Sequence, residues 1–166
     1  MDTSAFIAGF DPLSIRDAQY TVPAVRNELA SHSLSLTRLN AAVEGGKLEV
    51  REPNPEYVKK IETSSMAVGD LRFLSDADLQ VLALALELKE KGYSPHIVTD
   101  DYSIQNVANQ LGIQFAPLMT FGIRYRFRWI LYCPACHRKY APNHRSKRCG
   151  VCGTELRRKP AGKTLV

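Results

Sequence analysis

Four cysteines in two close pairs constrain this chain more than any other feature. Cys133 and Cys136 form one CxxC pair and Cys149 and Cys152 the other, with twelve residues between them. Two such pairs bring four thiolates to one tetrahedral Zn²⁺. A module this small needs its metal in order to fold. Gly150 and Gly153 suit the tight turn around the second pair, whereas His137 follows the first pair where glycine is more usual. Rubredoxin-like iron and a thiol redox pair are the other chemistries the pattern allows. Met1-Asp2-Thr3-Ser4 has no basic and apolar leader character, so the expected setting is a reducing compartment, the cytoplasm. No run of about 18 apolar residues is present, so no membrane span is expected.

Charge divides the chain at the same place. Residues 1–123 carry 10 Lys and Arg against 16 Asp and Glu, while residues 124–166 carry 12 basic residues and one acid, Glu155. The net +5 thus conceals an acidic body and a strongly basic tail. We expect two modules, residues 1–120 and residues 124–160. The tail has the electrostatic footprint of a nucleic-acid binder; a merely soluble basic surface is the plain alternative. Arg124-Tyr125-Arg126-Phe127-Arg128-Trp129 alternates strictly, so a strand would put Arg124, Arg126 and Arg128 on one face and the aromatics on the other. Between the cysteine pairs, Arg138, Lys139, Arg145, Lys147 and Arg148 form a basic loop. These eight cations are the candidate RNA contacts, and residues 163–166 read as a frayed end.

The body reads as alternating strands and helices. Thr21 is a candidate cap and Pro23 a first-turn residue for a helix that buries Val22, Val25 and Leu29. Leu34 to Val43 is a second helix, residues 47–51 a strand, and Asn54-Pro55-Glu56 a helix start. Ser75 caps the strongest helix signal, whose run Val81-Leu82-Ala83-Leu84-Ala85-Leu86 is apolar almost all round and therefore central. Glu87 to Lys91 marks its exposed end and Gly92 its stop. Tyr93 to Thr99 is a strand, Ser103 to Leu111 a helix and Ile113 to Phe115 a last strand. This order predicts an α/β fold, a parallel sheet sandwiched by helices.

Asp100 and Asp101 follow a predicted strand and precede a predicted helix, the edge where open α/β sheets build their sites. Asp2, Glu28 and Asp78 also lie near element ends. Each has a plain reading: Asp100 as a helix cap, Glu28 as a solvated helix residue, Asp78 as a partner in a capping box. Together they make a more specific constellation. Clustered carboxylates repel, burial raises their pKa values, and a hard divalent cation relieves both costs. Oxygen-only ligands suit Mg²⁺ or Mn²⁺ rather than zinc. Such an ion can activate water and offset charge on a phosphoryl group.

Asp2-Thr3-Ser4, Val22-Pro23-Ala24-Val25 leading to Glu28, Leu74-Ser75 leading to Asp78, and Thr99-Asp100-Asp101 together resemble a PIN domain, a metal-dependent ribonuclease fold with a central parallel sheet. The run from Val98 to Ala108, with the cysteine knuckles, resembles more closely the archaeal form of the NIN-one-binding endonuclease family, which matures the 3′ end of small-subunit ribosomal RNA. The resemblance spans almost the whole chain. It implies an endoribonuclease, with Asp2, Glu28, Asp78 and Asp100 as catalytic acids. Asp2, Asp78 and Asp100 would hold Mg²⁺ or Mn²⁺, Asp101 would be an accessory acid, and Thr3 and Ser4 would stand near the site. The implied partners are precursor small-subunit rRNA and the pre-ribosomal particle, with no membrane and no organic cofactor. Family members carry several apolar residues before the first aspartate, where this sequence has only Met1. A non-catalytic RNA-binding or pre-ribosome-binding protein with a defective PIN domain is the alternative. A toxin-type nuclease acting on free RNA fits less well, because of the fused zinc ribbon.

Overall fold

The computed structural model describes residues 1–68, 73–119, 125–144 and 146–165, with backbone alone at 67, 68, 125–128 and 163–165. The chain opens with α1 (Thr3–Ile7), β1 (Gln19–Thr21), α2 (Pro23–Glu28), α3 (Ser33–Glu44) and β2 (Leu48–Val50). It continues through α4 (Pro55–Val68), α5 (Asp76–Glu90), β3 (His96–Val98), α6 (Tyr102–Gln110) and β4 (Gln114–Ala116). Three strands follow: β5 (Tyr125–Tyr132), β6 (Lys139–Tyr140) and β7 (Arg157–Leu165).

The parallel strands form two small two-stranded sheets, β1 with β2 and β3 with β4, rather than the one continuous sheet expected. Met1 and Asp2 join them. The Met1 ammonium donates to the Tyr20 carbonyl at 2.7 Å, and Thr21 Oγ1 donates to the Met1 carbonyl at 2.9 Å. On the other side the Asp2 N–H donates to the Val98 carbonyl at 3.2 Å. Two residues thus bridge β1 and β3, and the backbone of Asp2 is fixed from both edges. Thr21 spends its hydroxyl on this bridge instead of capping α2. The α2 cap is Val22, which offers no side-chain bond and relies on Pro23, whose missing N–H costs nothing in the first turn.

Helix α5 is the centre of the core. All six residues from Val81 to Leu86 are buried, and the helix touches α2, α4, α6 and β3. Burying each large side chain contributes roughly 1.5 to 3 kcal/mol, so this helix anchors the layers around it. Glu87, expected to be exposed, is buried at 8% exposure. It accepts the Asn54 N–H at 2.9 Å and pairs with Lys91, so the end of α5 is tied to the start of α4. Val22, Val25 and Leu29 are fully buried, as their spacing indicated. Gly69, expected to end α4, lies outside the described residues.

The C-terminal sheet has the order β6-β5-β7 and is antiparallel throughout. Residues 163–165, expected to fray, instead pair with residues 125–127. Opposite the Arg-aromatic run the register with β7 shifts: Arg128 pairs with Gly162 and Trp129 with Pro160. The extra residue of this bulge is Ala161 on β7. Among the described residues no helix is long and apolar enough to cross a membrane.

Candidate active site and metal centre

Three helix starts converge where the sheet bridge ends. Asp2 is the N-cap of α1 and only 3% exposed. Its carboxylate accepts the Thr3 N–H at 2.6 Å, the Ser4 hydroxyl at 2.7 Å and the Thr99 hydroxyl at 2.8 Å. Ser4 and Thr99 in turn accept from the next loop: Asp100 N–H donates to Ser4 Oγ and Asp101 N–H to Thr99 Oγ1, both at 3.0 Å. Two hydroxyls thus lock the start of α1 to the end of β3. Thr99 is fully buried and was missed as a site residue; its signal was a hydroxyl at the strand end beside two acids.

Asp78 completes a capping box with Ser75 at the start of α5, its Oδ2 accepting the Ser75 N–H at 2.7 Å. Burial pushes its pKa up to about 6; the Ser75 N–H opposes this, and the negative charges of Asp2 and Asp101 add to it. Asp101 is the N-cap of α6, accepting the Ser103 N–H at 2.6 Å. Asp2, Asp78 and Asp101 therefore share one electrostatic field although they cap three different helices.

Asp100 is arranged differently from Asp101. Its Oδ1 accepts the N–H groups of Leu118 and Met119, both at 3.0 Å, and its Oδ2 accepts Met119 N–H at 3.1 Å. The carboxylate thereby ties the β3–α6 turn to the segment after β4. Glu28 is exposed at the end of α2 and is reached by the Thr3 hydroxyl at 2.5 Å. Thr3 and Ser4 thus both contact candidate acids.

The residues fit a hard cation in chemistry: the donors are carboxylate and hydroxyl oxygens, and Asp78 carries the like-charge cost that a divalent ion would offset. The cysteine centre is tighter. Among the described residues the four cysteines are the one group whose ligand atoms all lie within 4.8 Å of one another. Cys133 and Cys152 sulfurs are 3.3 Å apart, and Cys136 and Cys149 sulfurs 3.5 Å. Four sulfurs at about 2.3 Å from one zinc stand about 3.8 Å apart in a tetrahedron, so small shifts admit the ion. Tyr140, another residue that sequence reasoning missed, has its oxygen 3.0 Å from Cys149 Sγ. Gly150 N–H donates to that oxygen, leaving the Tyr140 proton for the sulfur. This hydrogen bond is the main reason the Cys149 thiol falls to about 5, burial opposing it. The thiolate that a metal needs is favoured at neutral pH.

Of the candidate RNA contacts, Arg138, Lys139, Lys147 and Arg148 are exposed around this centre. Arg126 and Arg128 lie on β5, described by backbone alone, and Arg124 and Arg145 lie outside the described residues.

Comparison with known proteins agrees with this architecture. Residues 1–88 match the family model for the PIN domain of ribonuclease, which gives the class of the nuclease body. The chain is 36% identical over 159 residues to Endoribonuclease Nob1 of Methanothermobacter thermautotrophicus, covering 96% of this chain and 91% of that protein. It is 41% identical over 111 residues to Ribonuclease VapC1 of Thermoplasma acidophilum, covering 67% and 54% respectively. Over 90 residues it is 32% identical to the 20S-pre-rRNA D-site endonuclease nob1 of Schizosaccharomyces pombe, covering 54% of this chain and 22% of that protein. The chain belongs to the Nob1 endoribonucleases, PIN-domain enzymes that cut RNA internally.

Proposed function

We propose that this endoribonuclease cleaves precursor small-subunit rRNA at its 3′ end within a pre-ribosomal particle, using Mg²⁺ or Mn²⁺. The observation that carries the reading is the shared field of Asp2, Asp78 and Asp101 at the edge of the sheet. Asp2, Asp78 and Asp101 hold the cation, with Glu28 at the rim. Asp100, assigned to the metal on sequence grounds, instead positions the segment after β4. The reason is geometric: its carboxylate accepts the Leu118 and Met119 amides of that segment. When bound, a divalent ion lowers the pKa of water and offsets charge on the phosphoryl group. Ser4 and Thr99 keep the Asp2 carboxylate oriented, and the Asp78 carboxyl must lose its proton before it can serve as a ligand.

The division of labour follows the charge. Residues 1–120 form the nuclease unit, and residues 124–160 form a zinc ribbon that grips RNA through Arg138, Lys139, Lys147 and Arg148. The acidic body repels phosphates in the absence of a cation, so affinity must come from the ribbon. The name of the fission-yeast relative, a 20S-pre-rRNA D-site endonuclease, supports an rRNA substrate.

The test is Mn²⁺-dependent cleavage of an RNA spanning the 3′ boundary of small-subunit rRNA. The wild-type protein is expected to make one discrete cut, with Asp78→Asn inactive yet still bound to RNA. Equal loss of binding and cleavage in Asp78→Asn would contradict the division of labour.

A further inference from the structure

Arg158 differs from the exposed cations around the cysteines. Its guanidinium carbon lies 4.4 Å from the centre of the Trp129 ring and 3.7 Å from the centre of the Phe73 ring. Trp129 is on β5, the partner strand of β7, so that contact lies within the ribbon. Phe73 belongs to the nuclease body. It stands two residues before Ser75, the cap whose N–H is held by Asp78. Phe73 is 41% exposed, so the hydrophobic core does not enclose its ring. A guanidinium against an aromatic face gains both electrostatic attraction and flat stacking. Strand β5 also touches α4 and α6, so the two parts meet along a surface of which this contact is one element.

We infer that Arg158 is a positioning residue that clasps the zinc ribbon to the start of α5, where Ser75 and Asp78 lie. Arg158 fixes where RNA held by the ribbon meets the carboxylates. Of the basic residues in β7, Lys159 is likewise placed over a ring, that of Tyr132 at 4.8 Å. Arg158 and Lys159 thus stand over rings of the ribbon, while Arg138, Lys139, Lys147 and Arg148 are exposed. The clasp also links zinc to the nuclease. Arg157 pairs with Tyr132, the residue before Cys133, so the strand register that presents Arg158 ends at a zinc ligand. This inference rests on the proposed division of labour in one respect, the delivery of RNA; the contact itself can be tested without cleavage.

Trp129 is the one tryptophan of the chain, so intrinsic emission of the zinc-loaded protein reports this contact. Arg158→Ala and Phe73→Ala, made in the full chain, are each expected to shift Trp129 emission to longer wavelength with zinc content unchanged. Phe73→Ala leaves the ribbon sequence untouched and guards against a folding defect in Arg158→Ala. Arg158→Lys, which keeps the charge but loses the flat face, is expected to restore little of the signal. With RNA at saturation, single-turnover cleavage should fall about tenfold in both alanine variants, as misplacement of bound reactants does. RNA affinity should stay within about twofold, and the double variant should be no worse than either single one, since the two residues act through one contact. Unchanged emission in both variants would overturn the clasp. Loss of RNA affinity alone in Arg158→Ala would make Arg158 a phosphate contact and overturn it too. Were the wild-type protein to cut no RNA, the nuclease reading would fall, while the emission shifts would still decide the clasp.

Discussion

The two ligand-bearing regions of this molecule are built in opposite ways. The cysteine centre is local: each pair spans one knuckle, twelve residues join the pairs, and all four sulfurs converge within 4.8 Å. The carboxylate site draws on residues from Asp2 to Asp101 and exists only because the sheet and three helices bring them together. The cysteine centre organises its surroundings, whereas the acidic site is organised by them. Each clustered acid is already bonded to backbone N–H groups of a helix start: Asp2 at α1, Asp78 at α5 and Asp101 at α6. The partial positive charge of helix N-termini favours carboxylates there. Capping and metal binding are therefore compatible roles of the same side chains, and the acidic cluster can persist before any cation arrives.

That contrast orders the expected effects of mutation. The largest belongs to the cysteines. Structural zinc supplies roughly 10 to 16 kcal/mol in small zinc-binding peptides, far more than a strand trio of this size gains by packing. Cys149→Ser, or exposure to a strong chelator, should unfold β5 to β7 and leave the nuclease helices intact. Limited proteolysis would show this as a protected core of about the first 120 residues. Simultaneous collapse of both parts would break the distinction between them.

Removing one acid should act on chemistry rather than folding. Asp101→Asn is expected to slow cleavage about a hundredfold to ten-thousandfold. Asp100→Asn should cost less, because an amide oxygen can still accept from Leu118 and Met119. Rates measured at saturating Mn²⁺ would reveal the order, and the reverse order would return Asp100 to the metal.

Asp78→Asn sharpens the comparison through stability. The Asp78 pKa is raised from 3.8 to about 6 in the fold, so the folded state binds more protons between those values and stability falls as pH rises through them. At pH 7 the buried charge costs the metal-free protein about 1 to 3 kcal/mol. Asparagine keeps an acceptor for Ser75 and removes that charge, so the metal-free variant should melt higher than wild type at pH 7. Near pH 4 the advantage should shrink to a small remainder, because Asp78 is then protonated in the folded state and only partly ionised in the unfolded one. Thermal melts at the two pH values check the sign.

The smallest expected effect lies at the first knuckle. His137 has φ +60°, a conformation that favours glycine. His137→Gly should relieve about 1 kcal/mol of backbone strain, partly offset by the greater freedom of glycine in the unfolded chain. Slower zinc loss to a competing chelator would report the gain. Gly153 already holds the matching left-handed conformation at the second knuckle.

Legibility in the sequence followed the same local-versus-distant divide. The zinc knuckles, the buried helix α5 and its Ser75–Asp78 capping box could be read because their signals lie within a few residues. Strands β2, β3 and β4 are legible from local alternation and apolar runs, whereas β1 is not, because Tyr20 and Thr21 read as the approach to a helix. What escaped depends on partners far along the chain. Thr21 was taken for a cap because the Met1 carbonyl that claims its hydroxyl is twenty residues away. Glu87 reads as exposed because its partner Asn54, just before α4, lies over thirty residues away. The bulge at Ala161 of β7 depends on the register with β5, about thirty residues back, which the pattern within one strand cannot reveal. The acids themselves could be named from the sequence, but the different surroundings of Asp100 and Asp101 became visible only once Leu118, Met119 and Asp78 had been placed around them.

The central claim is that a divalent cation binds among Asp2, Asp78 and Asp101. Calorimetric titration of Mn²⁺ into the zinc-loaded protein and its variants tests it most directly. The account predicts binding by the wild-type protein, its loss in Asp101→Asn and its retention in Asp100→Asn. Retention in Asp101→Asn with loss in Asp100→Asn would contradict it.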